Sequence, residues 1–93
     1  MLINLTNHAS EHWSGSQLEA AEKQFGEIRD LPFPQIDPDL SKEDIDMLAE
    51  CYVGQIITLL KRQEGESAIH LMGEQTFCYS LINKLKAKGI KVL

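Results

Sequence analysis

Residues 67–77, SAIHLMGEQTF, decide the fold, because a strand pattern passes into a helical pattern across a single glycine. The apolar run SAIHLM predicts a buried β-strand over residues 67–72. The following residues predict a helix over 74–88, whose apolar side chains recur at helical spacing in Phe77, Leu81 and Leu85. This segment is typical of a strand-to-helix junction in an α/β protein.

The rest of the chain repeats this alternation of strands and helices. The predicted strands are residues 2–6, 27–31, 67–72 and 90–93, and the predicted helices are residues 16–25, 42–63 and 74–88. The order βαβαβαβ favours a four-stranded parallel sheet with helices on both faces. We expect a single Rossmann-like domain over residues 1–93 with the flavodoxin-like strand order 2-1-3-4.

Helix ends and turns are marked by local signals. Ser16 with Glu19, and Ser41 with Asp44, fit capping boxes at the starts of the first two helices. Gly26 suits the left-handed position that ends a helix. Residues 32–41 hold three prolines, which predict a stiff extended loop.

Composition narrows the class of protein. The chain has 93 residues, 43% hydrophobic and 25% charged, which fits one globular domain. Its net charge of −5 argues against a duplex nucleic-acid binder, which needs a cationic surface. No apolar run approaches a bilayer span and no signal peptide is visible, so we expect a cytoplasmic protein that does not bind a membrane. Cys51 and Cys78 are expected to be reduced.

Two polar segments should meet where the first and third strands end. The chain crosses from one side of the first strand to the other, and ligands bind at the carboxyl ends of strands at such a switch point. Thr6, Asn7 and His8 follow the first strand, and residues 73–76 follow the third. The sequence therefore predicts a ligand-binding edge there, although a simple tight turn at Gly73 remains the alternative.

The residue types at this edge suit a ribose or a phosphate. The predicted ligand-binding residues are Thr6, Asn7, Gly73, Gln75 and Thr76. Gly73 admits a close backbone approach, and free N–H groups at the start of the helix attract an anion. His8 is the predicted proton-transfer group, with Glu74 as a second catalytic candidate. The Glu74 carboxylate repels a phosphate unless it points away or acts on a proton.

Neither a metal site nor a cofactor site is predicted. His8, His12 and Glu11 lie in one loop without a clear third ligand beside the histidines. The chain also lacks the glycine-rich motifs of nucleotide-binding loops and the nucleophile elbow. Any catalysis here must depend on positioning and a few polar groups.

The motifs NLTNH, QLEAA, FGEI, DLPFP, HLMGEQTF and KGIKV cover most of the chain. Together they resemble the CRISPR-associated ring nucleases and their Rossmann-like (CARF-like) relatives that bind cyclic oligoadenylates in type III CRISPR loci. The resemblance implies antiviral defence, a homodimer and a cyclic oligoadenylate ligand. It also implies metal-independent cleavage, in which a ribose 2′-OH attacks the adjacent phosphate.

This chain departs from that family in two respects. Neither polar segment contains the Lys or Arg that the family often places near the scissile phosphate, so cleavage is less expected than binding. The family usually continues beyond its last strand into a Ser/Thr-rich turn, whereas this sequence stops at Leu93. Either the chain is a fragment or a partner subunit completes the site. The rival hypotheses are a non-catalytic interaction domain, with residues 32–41 or 42–63 as its contact surface, and a piece of a larger flavodoxin-like enzyme.

Overall fold

A computed structural model describes residues 1–61 and 65–93. The strands are β1 (Leu2–Leu5), β2 (Ile28–Asp30) and β3 (Ala68–Leu71). The helices are α1 (Gly15–Phe25), α2 (Lys42–Leu60) and α3 (Gln75–Ala87), with a short 3-10 turn at Ser10–His12. The α/β class is confirmed. The predicted end of the second helix, residues 62 and 63, lies outside the described residues.

The three strands form one parallel sheet in the order β2-β1-β3. Residues 90–93, predicted as a fourth strand, make a single parallel bridge from Val92 to Ile69. In that bridge the Ile69 N–H donates to the Lys91 carbonyl at 3.0 Å, and the Leu93 N–H donates to the Ile69 carbonyl at 2.8 Å. The last segment therefore lies beside β3, but its pairing is too short to count as a strand.

Alternating side chains of β1 separate two cores. Ile3 and Leu5 pack with α2 and α3 in the larger core, which also contains Ile56, Phe77 and Leu81. On the opposite face, Leu2 packs with Phe25 of α1 and with Ala68. This period-two alternation places helices on both faces of the sheet.

The helix caps correct one expectation and confirm others. The capping box of α1 is Ser14 with Gln17, not Ser16 with Glu19. The Ser14 hydroxyl accepts the Gln17 N–H at 3.2 Å, and the Gln17 side chain accepts the Ser14 N–H at 3.0 Å. Ser-x-x-Gln satisfies the capping rule as well as Ser-x-x-Glu, so the helix begins earlier.

The start of α2 and the end of α1 are as predicted. Ser41 and Asp44 form the capping box that opens α2. Gly26 ends α1 with φ +85°, a conformation that a side chain disfavours.

Candidate functional site: a cleft at the carboxyl edge of the sheet

A two-part cleft lies at the carboxyl ends of the strands, and we call it the carboxyl-edge cleft. Its larger part has a volume of about 610 Å³ and is lined by Asn7, Glu74 and residues 33–37. Its smaller part, of about 300 Å³, lies between the loop after β1 and the end of β2, with Asn4, Thr6 and Asp30 in its lining. Asn7 and Phe33 line both parts. Volumes in this range are typical of small-molecule sites.

One wall of the cleft is the segment 32–37, which we call the proline strap. The distal end of the Phe33 ring lies against Gly73, so closely that a Cβ atom at position 73 would overlap three ring atoms. The same ring makes an edge contact with Phe77, with ring centroids 5.3 Å apart. Tyr52 also makes an edge contact with Phe77, and its hydroxyl donates to the Pro32 carbonyl at 3.1 Å. These contacts fasten the strap to α2 and α3.

The contact with Phe33 explains why residue 73 is glycine. Gly73 does not have a positive φ, so its backbone conformation does not require glycine. In this structure the protein's own Phe33 ring lies against Gly73. A ligand at the Gly73 backbone stays a prediction, and it would require this ring to move.

A buried polar network shapes the other wall. Asn4 is 1% exposed, and its side-chain amide donates to the His8 carbonyl and to Asp30 Oδ1, both at 2.8 Å. The Thr6 hydroxyl accepts the His8 N–H at 3.0 Å and lies 3.0 Å from Asn4 Oδ1. Ser10 donates to Asp30 through its backbone N–H and its hydroxyl. The network ties the loop after β1 to the end of β2.

The network determines the ionisation of Asp30. Burial raises the pKa of this carboxyl group. The hydrogen bonds from Asn4 and Ser10 together lower the pKa by more than burial raises it, so the net shift is downward. Thr6 belongs to the same network, and its buried hydroxyl orders the loop after β1 through its contacts with Asn4 and His8. It reaches the smaller part of the cleft without offering an uncommitted polar group.

The N-terminus of α3 is capped from within the chain. The Glu74 carboxylate accepts the Thr76 N–H at 2.8 Å and the Phe77 N–H at 2.9 Å. These two bonds, from Phe77 and then Thr76, lower the pKa of Glu74. The prediction of free N–H donors across residues 74–76 is wrong for Thr76, because a side-chain anion already occupies the position where an external phosphate would bind.

The remaining predicted residues spread over different surfaces. Asn7 and Glu74 meet in the larger part of the cleft. Thr76 instead lines a groove between α2 and α3, and Gln75 is exposed. His8 is exposed and is not among the residues that line either part of the cleft. The two catalytic candidates are therefore not brought together at one point of the cleft.

The electrostatic character of the cleft is acidic. Its described lining contains the carboxylates of Asp30, Asp37 and Glu74, and none of these described lining residues is Lys or Arg. Asn7 and Gln35 add neutral carboxamides. Such a lining favours neutral or amino-bearing groups and disfavours a phosphate.

The part of the chain that the structure describes contains no cluster of side chains that could bind a metal ion. No group of three or more His, Cys, Asp or Glu side chains there could hold an ion. The Glu11 and His12 side chains approach to 3.5 Å at the surface, without a third such ligand among the described residues. Likewise, within residues 1–61 and 65–93, no helix is long and apolar enough to cross a bilayer.

Sequence reasoning missed Asn4, Asp30 and the proline strap. One signal could have found the strap. The proline strap follows β2, and β2 is parallel to β1. The strap must therefore leave the sheet at the same edge as Asn7. Phe33 between two prolines is then an aromatic side chain held rigidly at that edge.

Together the parallel sheet, the helices on both faces and the edge cleft define a small α/β domain. The family comparison spans all of it: residues 1–93 match the family described as "Uncharacterized protein MJ1673 family". The chain belongs to this family. No curated protein and no solved structure matches the chain.

Proposed function

We propose that this domain is a CRISPR-associated protein that binds a cyclic oligoadenylate at the carboxyl-edge cleft. The observation that supports the proposal is the position of the cleft, where the chain crosses from β2 over β1 to β3. Parallel α/β sheets hold nucleotide ligands at this kind of point. The motif resemblance supplies the ligand class, and Asn7 and Gln35 supply hydrogen-bonding groups in the cleft.

The contacts of the catalytic candidates support binding more strongly than cleavage. Glu74 holds the N-terminus of α3, so its carboxylate is not poised to accept a proton from a ribose 2′-OH. Cleavage at this edge would then depend on His8 as the base that takes the 2′-OH proton. The 2′-oxygen would attack the adjacent phosphorus and form a 2′,3′-cyclic phosphate, while the bond to the 5′-oxygen breaks and that oxygen leaves with a proton. His8 follows β1 on an exposed loop, and the hydrogen bonds of its backbone to Thr6 and Asn4 fix that loop.

The proposal includes a Rossmann-like assembly in the cytoplasm. Residues 90–93 would serve as the fourth strand, extending the order to 2-1-3-4 from the bridge at Val92. Two copies of the chain would form a homodimer whose two-fold axis matches that of a cyclic tetra-adenylate. Sedimentation equilibrium with and without ligand tests this part, since a strictly monomeric protein in both states would contradict it.

Direct binding measurements test the main proposal. The protein is titrated with cyclic tetra-adenylate and cyclic hexa-adenylate in the absence of metal, and the mixtures are analysed for linear products. Asn7→Ala should weaken binding, whereas Tyr79→Ala should not, because Tyr79 is exposed on α3 outside the cleft. A wild-type protein that neither binds nor cleaves either ring would contradict the proposal.

The cleavage activity has its own test. His8→Ala removes the proposed base and should abolish linear products. Binding should weaken less than in Asn7→Ala, because His8 does not line the cleft and would touch only the ribose whose 2′-OH it deprotonates. Binding without any product in the wild-type protein would restrict the function to sensing or sequestration.

One observation favours a non-catalytic interaction domain as the second candidate. Met47 is 68% exposed on α2 and Tyr79 is 73% exposed on α3, so each of these helices presents a large apolar side chain to solvent. A partner protein that binds through these helices would be released by Met47→Ser and Tyr79→Ser, with the cleft variant Asn7→Ala as the control.

A further inference from the structure

We infer that the carboxyl-edge cleft is a nucleobase subsite, in which an adenine ring stacks on Phe33 and the phosphates stay outside. The inference rests on the proposed function for its ligand class and assigns the part of the ligand that enters the cleft. It is drawn from the shape, the aromatic wall and the charge of the cleft.

Phe33 has the position of a stacking platform. Its ring is partly buried and lines both parts of the cleft. The distal end of the ring is held against Gly73 and the ring also contacts Phe77, so its orientation is fixed before a ligand arrives. An aromatic ring that is already immobilised loses little entropy when a base stacks on it.

The polar groups beside Phe33 match the edge of an adenine. Asn7 and Gln35 each offer a carboxamide, the side-chain group that pairs with the N6 and N7 positions of adenine. Asp37 offers a carboxylate that can accept from the exocyclic amino group; one of its oxygens also accepts the Asp39 N–H at 2.9 Å. These groups are the donors and acceptors that a base requires, rather than the cations that a phosphate requires.

The acidic lining determines where the phosphates lie. Asp37 and Glu74 line the larger part of the cleft, and the Glu74 carboxylate already accepts the N–H groups of Thr76 and Phe77. A phosphate inside the cleft would be repelled by both carboxylates, and these two N–H groups would not be free to compensate. The base therefore enters, while the sugar-phosphate ring remains at the rim.

Adenosine and AMP separate base binding from phosphate binding. Each is titrated into ¹⁵N-labelled protein, and amide shifts are followed at residues 7, 33, 35–37 and 74. Adenosine should bind at these residues and more tightly than AMP, and added salt should narrow the difference because it screens repulsion. AMP binding more tightly than adenosine, or shifts confined to other surfaces, would overturn the inference.

Phe33 variants test the stacking contact itself. Phe33→Leu should weaken adenosine binding at least about fivefold, the low end of the range for loss of one base–aromatic stack. Phe33→Tyr should retain binding, and Tyr79→Leu is the control aromatic outside the cleft. If Phe33→Leu does not fold, nuclear Overhauser contacts between the Phe33 ring and adenine protons in wild-type protein replace it, and their absence overturns the inference.

The outcomes distinguish this inference from the proposed function. Cyclic tetra-adenylate binding that is unchanged in Phe33→Leu would preserve the function and overturn the subsite. Adenosine binding that depends on Phe33, without binding of any cyclic oligoadenylate, would support the subsite and overturn the function. Absence of both kinds of binding in the wild-type protein would overturn both.

Discussion

Gly73→Ala tests the packing that closes the switch point. A methyl group at this position would overlap the Cε1, Cζ and Cε2 atoms of the Phe33 ring. Overpacking of this kind costs about 1–3 kcal/mol, whereas the reduced freedom of the unfolded chain returns about 0.4–1 kcal/mol. The backbone itself accepts alanine because φ is not positive. Because three ring atoms overlap and Phe77 holds the ring in place, the upper half of the overpacking cost applies, about 2–3 kcal/mol. We therefore expect a net loss of about 1–2.6 kcal/mol in the free energy of unfolding, which lowers Tm by about 4–20 °C in a domain of this size.

Urea unfolding followed by circular dichroism measures this loss, and a double-mutant cycle identifies its cause. In a Phe33→Ala background the overlapping ring is absent, so Gly73→Ala should cost at least about 1 kcal/mol less than in the wild type. Gly54→Ala is the matched control, because Gly54 lies within α2 and nothing is within 4 Å of an added Cβ. This control should stabilise the protein by about 1 kcal/mol. A neutral Gly73→Ala, or an equal cost in both backgrounds, would refute the packing argument.

Three further predictions concern the polar network and the thiols. Asn4→Leu should lower the free energy of unfolding by about 2–3 kcal/mol in urea titration, because it strips hydrogen bonds from the His8 carbonyl and Asp30 at a buried side chain. Ser10→Ala removes only the solvent-exposed hydroxyl bond to Asp30, so it should cost less than about 1 kcal/mol. The pKa of Asp30 is lower in the folded than in the unfolded chain, so its contribution to stability is present above about pH 4. That contribution disappears as the pH falls through the folded pKa. Asp30→Asn should remove this part of the acid sensitivity, under about 1 kcal/mol because water screens the group. A disulfide reagent should modify exposed Cys51 faster than Cys78, since burial and then the nearby Glu74 charge raise the pKa of the Cys78 thiol. Cys51→Ser should leave only the slow phase, and equal rates for the two thiols would contradict the assignment.

The sequence specified the elements of the fold well because their signals are local. Apolar periodicity located all three helices, and the proline and glycine positions located the breaks between elements. The last segment, predicted as a strand, makes only a single bridge to β3 in the structure. Ile90 and Val92 alternate as an edge strand would, but pairing depends on how the segment meets β3, which is a tertiary property that its own residues do not encode.

The location of the candidate site was also predictable, because a parallel α/β sheet determines which loops share an edge. The residues that line the site were less predictable than its location. The sequence around Gly73 predicts a place for a ligand, although Phe33, forty positions earlier in the chain, lies against this glycine in the structure. A glycine required by a side chain far along the chain cannot be distinguished, from sequence alone, from one required by a turn or a ligand.

Glu74 is both the N-terminal cap of α3 and a lining residue of the carboxyl-edge cleft. An acidic residue directly before a helix is well placed to accept the N–H groups of the first turn, and here it accepts two. The helix N-terminus, which in many α/β proteins is the anion site, is therefore neutralised by the chain's own carboxylate. In the nucleobase subsite inferred above, a ligand would gain its affinity instead from stacking and from the carboxamides of Asn7 and Gln35. Glu74→Gln would remove one negative charge from the cleft and keep only one acceptor oxygen for the Thr76 and Phe77 N–H groups, so it should favour AMP relative to adenosine in the same titrations.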